Sequence, residues 1–251
     1  MHDHHKSPNA AALEVAANSM ASALAAQAGG ATRVELCAAL ELGGLTPSHA
    51  TIAIAQERLR IPVHVLIRPR PGDFVFDDLE CEVMQRDIEA CGSLGCAGVV
   101  LGVLTAEGDV DVPRCRALAV AARRMSVTFH RAFDFARAPE RALEDVVTLG
   151  CDRLLTSGQA ADALAGASLI RKLVEQACGR LTIMPGGGIT EQNIAAIAEA
   201  TGAREFHASA KVRIADRMHH PGFDAMGGGD WQTSEAEVRA RVEALRNAYP
   251  G

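Results

Sequence analysis

The sequence of 251 residues predicts a single (β/α)8 barrel. The chain contains eight short runs rich in Val, Ile and Leu, and segments of helical character lie between them. Strands that alternate with helices predict a parallel sheet, and a barrel of this type typically needs about 250 residues. The predicted strands begin at Leu13, Val34, Val63, Val99, Val127, Leu154, Leu181 and Phe206. An open, doubly wound sheet is the alternative that this pattern allows.

Composition and charge narrow the classes of function. Hydrophobic residues make up 48% of the chain and aromatic residues only 4%, so we expect a mainly aliphatic core. The net charge is -6 and no basic cluster is interleaved with aromatic residues, so nucleic acid is not an expected partner. A signal-peptide pattern and an uninterrupted apolar run of about 18 residues are both lacking, which predicts a cytoplasmic protein that does not bind membranes.

The chain is expected to form one domain over residues 1–251, because no linker rich in Pro or Ser divides it. Residues 1–10 are short, polar and terminal, and we expect their three histidines to belong to a disordered tail. Residues 211–232 are long for a barrel loop and include Met218, His219, His220 and the only Trp. Since this segment follows the eighth strand, we expect a long loop beside the barrel mouth.

Two helix starts carry N-cap signals. Thr46 precedes Pro47, which gives an N-cap followed by proline at the first helical position. Thr190 precedes the helical run 191–200 and follows Gly188 by two residues. The sequence therefore predicts helices that begin immediately after Thr46 and Thr190.

The seven cysteines are odd in number and contain no C-x-x-C pair. Most of them lie in apolar segments rather than in loops. Cysteine is often a small buried hydrophobic residue, so we expect reduced thiols.

Alternate side chains of a strand share one face, and in a barrel one face points inward. This parity places ionisable or polar residues on one face of five strands. The aligned sets are Glu14 on the first strand, Glu35 and Cys37 on the second, His64 and Arg68 on the third, Thr128 and His130 on the fifth, and His207 and Ser209 on the eighth. Two explanations remain, a structural network satisfied within the barrel and a ligand site. We favour the site, with Glu14 as a structural member, because barrel enzymes place catalytic groups at the carboxyl ends of strands.

Glycine-rich turns follow two of the later strands and indicate an anion site. Gly186, Gly187 and Gly188 follow the seventh strand, where many barrels bind phosphate together with the loop after strand eight, here Ser209. Ser157 follows the sixth strand.

Charged loop residues lie close to these turns in the predicted fold. Arg131 and Asp134 come just after His130, and Arg70 and Asp73 follow Arg68. Arg68 and Arg70 are suited to fork onto a carboxylate or phosphate, and Glu35 or His130 to move a proton near neutral pH.

The motifs that contain these residues closely resemble the family of the copper homeostasis protein CutC. In order they are LEVAANS, RVELCAALELGGLTPS, PVHVLIRPRPGDFVF, GVVLGVLTAEGDVD, VTFHRAFD, LGCDRLLTSGQA, IMPGGGI and EFHASA, from about Leu13 to Ala210. The resemblance implies a single-domain cytoplasmic barrel with a role in copper handling.

By position, the family's motifs include Glu35, Cys37, His64, Arg68, His130 and Arg131. The sequence departs from the family in two places. Ala16 stands where LEVC would place a cysteine, and PRPGD replaces PRGGD. Loss of a thiol bears on copper, because Cu(I) prefers thiolate and thioether ligands.

Three functions are left open by these observations. The first is copper binding in copper homeostasis, implied by the resemblance, with Cys37 as the candidate ligand. The second is a lyase or isomerase that transfers a proton on a small phosphorylated or carboxylated metabolite. In that enzyme Glu35, His64, Arg68 and His130 form the catalytic group. The third is a non-catalytic interaction protein. Alanine-rich helices are compatible with packing between subunits, so a homo-oligomer is one expected state.

Overall fold

The computed structural model describes residues 11–215 and 230–249. Within these ranges the strands are β1 (Ala12–Ala17), β2 (Arg33–Leu36), β3 (Val63–Leu66), β4 (Gly98–Leu101), β5 (Ser126–Phe129), β6 (Arg153–Thr156), β7 (Thr182–Pro185), β8 (Glu205–Ala208), β9 (Lys211–Ile214) and β10 (Asp230–Thr233). The helices are α1 (Met20–Ala28), α2 (His49–Arg58), α3 (Asp78–Ser93), α4 (Val112–Ala122), α5 (Pro139–Thr148), α6 (Ala167–Ala177), α7 (Ile194–Thr201) and α8 (Glu235–Ala248).

The first eight strands form one parallel sheet in the order β7-β6-β5-β4-β3-β2-β1-β8. A parallel bridge between Gly186 and His207 connects the two ends of this order and closes the sheet. A helix follows each of the eight strands along the chain. The structure therefore confirms the predicted (β/α)8 barrel, and the predicted strands lie within about one residue of their observed positions.

The main hydrophobic core lies between the strands and the surrounding helices. Apolar strand residues such as Leu13, Val65 and Phe129 are buried there. The opposite face of the same strands points into the barrel and carries the polar side chains that parity predicted, among them Glu14 and Glu35. The alternation of strand side chains thus separates an aliphatic layer outside the sheet from a polar interior.

The helix after β2 begins later than predicted. Ser48 is the N-cap of α2, because its hydroxyl accepts a hydrogen bond from the N–H of Thr51. Thr46 instead pairs with the end of β3: its N–H donates to the Arg68 carbonyl, and its Oγ1 accepts from the Arg68 N–H. The predicted start at Thr46 and Pro47 was wrong because Thr46 belongs to this pairing.

The helix after β7 also begins later than predicted. Thr190 lies in a turn, in which its N–H donates to Oδ1 of Asn193, and α7 begins at Ile194. The glycine triplet is therefore followed by a turn and not directly by the first residues of a helix.

The segment 211–232 is not a loop throughout, as the sequence analysis expected. Its two ends form β9 and β10, which pair as an antiparallel hairpin, with Lys211 packed over the Trp231 ring at 4.7 Å. The side chain of Asn18 donates to the Trp231 carbonyl, and the Thr233 N–H donates to Ser22 Oγ. These bonds hold the hairpin against the start of α1, beside the barrel mouth. Residues 1–10 and 216–229, including Met218, His219 and His220, lie outside the described residues.

No helix in the described parts of the chain combines the length and the apolar character that crossing a membrane requires.

Candidate active site

A cavity of about 400 Å³ opens at the carboxyl ends of the barrel strands. Its walls include the predicted residues Glu35, Arg68, His130, Arg131, Gly187, Gly188, His207 and Ser209. Lys211 and Arg241, which the sequence analysis did not select, also line it. The structure therefore brings most of the predicted site into one cavity.

Beneath the cavity a network of ion pairs fills the barrel. Arg33 donates from Nε to Oε2 of Glu14 at 2.5 Å and contacts Oε2 of Glu205 from Nη2 at 2.7 Å. Arg153 donates from Nε to the same Glu205 oxygen at 2.8 Å. This lower layer is a structural network, as the first of the two explanations expected, and residues of the layer above it line the cavity.

Glu14 connects the network to His207. Oε1 of Glu14 lies 2.8 Å from Nδ1 of His207. Although burial opposes ionisation, the charges of Arg33 and His207 hold the pKa of Glu14 below its ordinary range. Because Glu14 is ionised, Nδ1 of His207 carries the proton and donates it. Burial lowers the pKa of His207, but the neighbouring Glu35 and Glu14 outweigh burial and raise it.

Glu35 has no such partner. Its side chain is buried, and Oε2 has no hydrogen-bond partner among the described residues. Burial raises the pKa of Glu35 to about 7, against the opposing charge of His207. A carboxyl group with this pKa is partly protonated at neutral pH and can give or take a proton in the cavity.

His130 is a neutral imidazole of defined tautomer. Its Nδ1 accepts a hydrogen bond from the Ala132 N–H at 3.2 Å, so the ring proton lies on Nε2. Burial, together with the charge of Arg68, lowers the pKa of His130 to about 3. Nε2 has no partner among the described residues. His130 is thus a hydrogen-bond donor at neutral pH rather than a base.

Arg68 is engaged by the backbone. Nη1 donates to the carbonyls of Leu42 and Gly44, and Nη2 donates to the carbonyl of Gly72. The guanidinium also lies 4.9 Å from the centre of the Phe74 ring. Arg68 therefore holds the loops after β2 and β3 in place, and backbone carbonyls already occupy Nη1 and one hydrogen of Nη2, whereas Nε has no partner among the described residues.

Arg131 is the better placed cation. Nε donates to Oδ2 of Asp134 at 2.7 Å, and Nη2 donates to Oγ of Ser157 at 2.9 Å. Nη1 lies beside Gly187, because a Cβ added to that glycine would be 3.3 Å from Nη1. Asp134 and Ser157 therefore orient Arg131, and Nη1 remains directed along the glycine rim of the cavity.

Two predicted residues lie below the cavity rather than in its wall. His64 has Nδ1 3.9 Å from Oε2 of Glu14, and burial lowers its pKa to about 4. Gly186 packs closely on Leu155, whose Cδ1 is 2.4 Å from the position of an added Cβ. Neither residue lines the cavity itself.

Cys37 also lies away from the cavity wall. Its side chain packs with Leu66 and Val100, and its thiol contacts the Ala17 carbonyl at 3.7 Å. Burial, together with the nearby charge of Glu35, raises the pKa of the Cys37 thiol. The thiolate form that binds metals is therefore disfavoured.

Two members of the ion-pair network, Arg33 and Glu205, were not predicted, although the sequence contains a signal for both. Arg33 lies two positions before Glu35, and Glu205 lies two positions before His207, so both share the inward face. Applying parity from the first residue of each strand would have found the ion-pair network.

The model of the CutC family matches residues 11–212. This match covers well over half of the chain. The chain belongs to the CutC family. A CutC family protein of Xanthomonas campestris pv. campestris is 56% identical over 238 residues, which cover 94% of this chain and 99% of the relative. A CutC family protein of Chromobacterium violaceum is 55% identical over 243 residues, with 94% and 98% covered.

One solved structure agrees with this membership. The crystal structure of the putative copper homeostasis protein CutC from Streptococcus agalactiae is 33% identical, with a TM-score of 0.76, and the match covers 79% of this chain and 98% of that one. Phosphoribosylanthranilate isomerase from Thermotoga maritima is 13% identical, with a TM-score of 0.59 and coverage of 94% and 99%. The second likeness shows the barrel fold alone.

The possible metal ligands in the barrel interior of this CutC-family chain do not suit Cu(I). Within residues 11–215 and 230–249, one group of three side chains could hold a metal ion, namely Glu14, Glu35 and His207. This group contains no sulfur, and Glu14 is already paired with Arg33. Cu(I) prefers thiolate and thioether ligands, so this group of three does not fit it.

Proposed function

We propose that the cavity binds a small phosphorylated or carboxylated compound and that Glu35 transfers a proton to or from it. The observation that carries this proposal is the buried Glu35 carboxyl group, which faces the cavity with a pKa of about 7 and with Oε2 unpaired among the described residues. A general acid or base works best when its pKa is near the operating pH.

The anion end of the cavity is formed by Arg131 with the glycine rim. Nη1 of Arg131 lies beside Gly187, and Gly188 and Ser209 also line the cavity. Lys211 adds a second positive charge. A guanidinium group and nearby backbone N–H groups suit a phosphate or carboxylate.

The reacting end is formed by Glu35 and His130. The Glu35 carboxylate removes a proton from the carbon next to a carbonyl group of the bound compound. The N–H at Nε2 of His130 donates a hydrogen bond to that carbonyl oxygen as negative charge develops on it. The protonated Glu35 then returns the proton to a neighbouring atom in an isomerisation, or to the departing group in a lyase reaction.

Glu14 and His207 support this end. The ionised Glu14 holds Nδ1 of His207 as a donor, and the charge on His207 favours the ionised form of Glu35. The pair therefore positions charge beside the base and limits how far burial raises the pKa of Glu35.

The protein is incubated in deuterated solvent with small phosphorylated and carboxylated aldehydes and ketones. NMR then measures how fast the carbon-bound protons of each compound exchange with the solvent. Wild-type protein is expected to catalyse exchange at the carbon beside the carbonyl group of at least one compound. Glu35→Gln is expected to lower that rate by at least about 100-fold. Equal exchange rates for wild type and Glu35→Gln on every compound would refute the proton-transfer role.

Anion binding is measured separately, by calorimetric titration with inorganic phosphate. Arg131→Gln is expected to weaken binding by about tenfold or more, the range for a hydrogen bond to a charged group. Arg137→Gln is the control, because Arg137 pairs with Asp109 at the surface and does not line the cavity. Equal losses in both variants would argue against a site at Arg131.

Copper handling, which the family name suggests, is tested by Cu(I) titration against a competing chelator. Our proposal expects Cys37→Ala to leave Cu(I) affinity unchanged, because burial disfavours the thiolate of Cys37. A loss of tight Cu(I) binding in Cys37→Ala would show that this cysteine is a ligand after all.

A further inference from the structure

Two cysteines, Cys91 and Cys96, lie where α3 ends and β4 begins. Neither of them lines the cavity at the barrel mouth. Helix α3 ends in a motif that brings these cysteines together. The N–H of Cys96 donates to the carbonyl of Cys91 at 3.0 Å, and the N–H of Gly95 donates to the carbonyl of Gly92 at 3.2 Å. Gly95 has a φ of +80°, the left-handed conformation that this helix ending requires.

These two bonds define a Schellman motif, in which the side chains at the positions of Cys91 and Cys96 contact each other. In most proteins that contact joins two hydrophobic residues. Here both positions carry thiols, and both residues belong to the same buried cluster. The contact between them is therefore built by the local backbone and does not depend on the distant parts of the chain.

One member of the pair meets a surface cavity and the other does not. Cys96 lines a cavity of about 670 Å³ between the ends of α3 and α4, together with Arg123 and Arg124. Cys91 is fully buried behind it. A small oxidant that enters this cavity reaches Cys96 first.

The electrostatics of the pair favour the same order. The hydrogen bond with Cys91 lowers the pKa of Cys96 to about 7, although burial opposes this, and the same bond together with burial raises the pKa of Cys91. Cys96 is thus the better nucleophile, whereas Cys91 stays protonated.

We propose that Cys91 and Cys96 form a peroxide-oxidised dithiol site, in which Cys96 is the attacking residue and Cys91 the resolving residue. This proposal is independent of the chemistry at Glu35. It assigns a modification site to the amino-terminal end of β4, with hydrogen peroxide as the class of co-reactant.

The reaction balances in two steps. The Cys96 thiolate attacks one oxygen of hydrogen peroxide, so that an S–O bond forms, the O–O bond breaks, and the departing hydroxide takes up a proton as water. The Cys91 sulfur then attacks the Cys96 sulfenic acid, so that the S–S bond forms, the S–O bond breaks, and a second water leaves. Two thiols lose two electrons in total, and the peroxide gains them.

The test treats the full-length reduced protein with hydrogen peroxide, then blocks free thiols under denaturing conditions and digests with trypsin. Cys91 and Cys96 fall in one tryptic peptide, residues 87–114, which contains no other cysteine. We expect the peptide from oxidised protein to carry no blocking group. Its mass should be two hydrogen atoms less than that of the same peptide with two free thiols. We expect the change at peroxide doses that leave the buried Cys115 and Cys151 blocked as free thiols.

Two variants separate the roles. In Cys91→Ser the sulfenic acid at Cys96 is expected to persist and to be trapped by dimedone, whereas the wild-type protein gives little adduct. In Cys96→Ser, Cys91 is expected to stay reduced. If the wild-type peptide 87–114 keeps both free thiols at doses that oxidise the exposed Cys178, the proposal is overturned, whether or not either variant folds.

Discussion

Glu14 and Glu35 are buried carboxyl groups whose oxygens lie within 4.8 Å of one another and of a His207 nitrogen, yet they ionise differently. Glu14 contacts Arg33 and His207, which hold its pKa below the ordinary range. None of the described residues forms an ion pair with Glu35, so burial dominates and raises its pKa to about 7. The residue that lacks a partner is therefore the one able to exchange a proton at neutral pH.

This difference predicts how stability depends on pH. The folded pKa of Glu35 lies above its ordinary value of 4.5, so its contribution to stability is present below pH 4.5 and is lost as the pH rises to about 7. Glu35→Gln, which cannot ionise, should remove that loss. As the pH rises from 4.5 to about 7, we expect the free energy of unfolding of the variant to increase by roughly 2–3 kcal/mol relative to that of the wild type.

Urea unfolding of both proteins across this pH range measures the effect. The comparison of the two proteins matters, because His64 and His130 have lowered pKa values and destabilise both of them as the pH falls below about 6.5. A constant difference between wild type and Glu35→Gln at all pH values would contradict the raised pKa.

At the scale of the elements, Gly102, the residue directly after β4, leaves room for His130. A Cβ added at Gly102 would lie 2.7 Å from Nδ1 and 2.8 Å from Cε1 of the His130 ring. The end of β4 therefore leaves space for the imidazole, and β5 directs it there. Gly102 positions His130 without contacting the cavity.

We predict that Gly102→Ala lowers the free energy of unfolding by about 1–3 kcal/mol, because the added methyl group overpacks the site. In the background of His130→Ala, where the ring is absent, the same change should cost much less. Urea unfolding of the four proteins gives a double-mutant cycle. If the two substitutions change the free energy of unfolding additively, the methyl group added at Gly102 does not clash with the His130 ring.

The elements also show where sequence reasoning succeeds and where it does not. Strand parity predicted that Glu35, His130 and His207 share one interior, because alternation is a local property of the chain. Parity did not show that Arg68 would be engaged by the carbonyls of the loops, since those contacts depend on how the loops fold. The late starts of α2 and α7 were missed for the same reason.

On the scale of the whole molecule, the barrel interior is held by charges rather than by hydrophobic packing alone. Arg33 connects Glu14 on β1 with Glu205 on β8, and Arg153 connects Glu205 to β6. Removing one partner from a buried ion pair leaves an uncompensated charge. The network therefore makes closure of the barrel sensitive to a single substitution.

We predict that Arg33→Met destabilises the protein by about 3–5 kcal/mol, since it leaves the buried Glu14 carboxylate without its guanidinium partner. Arg137→Met is the matched control. Arg137 pairs with Asp109 at the surface, and its loss is expected to cost less than about 1 kcal/mol. Thermal and urea unfolding measure both variants, and similar small losses in the two would show that the interior network contributes little.

The central claim, that Glu35 is the proton-transferring group of the cavity, is tested most directly by its own titration. Carbon-13 NMR of protein labelled at the glutamate side-chain carboxyl carbons follows each group as the pH is changed, and Glu35→Gln assigns the resonance. We predict one carboxyl group with a midpoint at about pH 7 that is missing from the variant. If every glutamate in the wild-type protein titrates below about pH 5, close to the ordinary value, Glu35 is not the base that we propose.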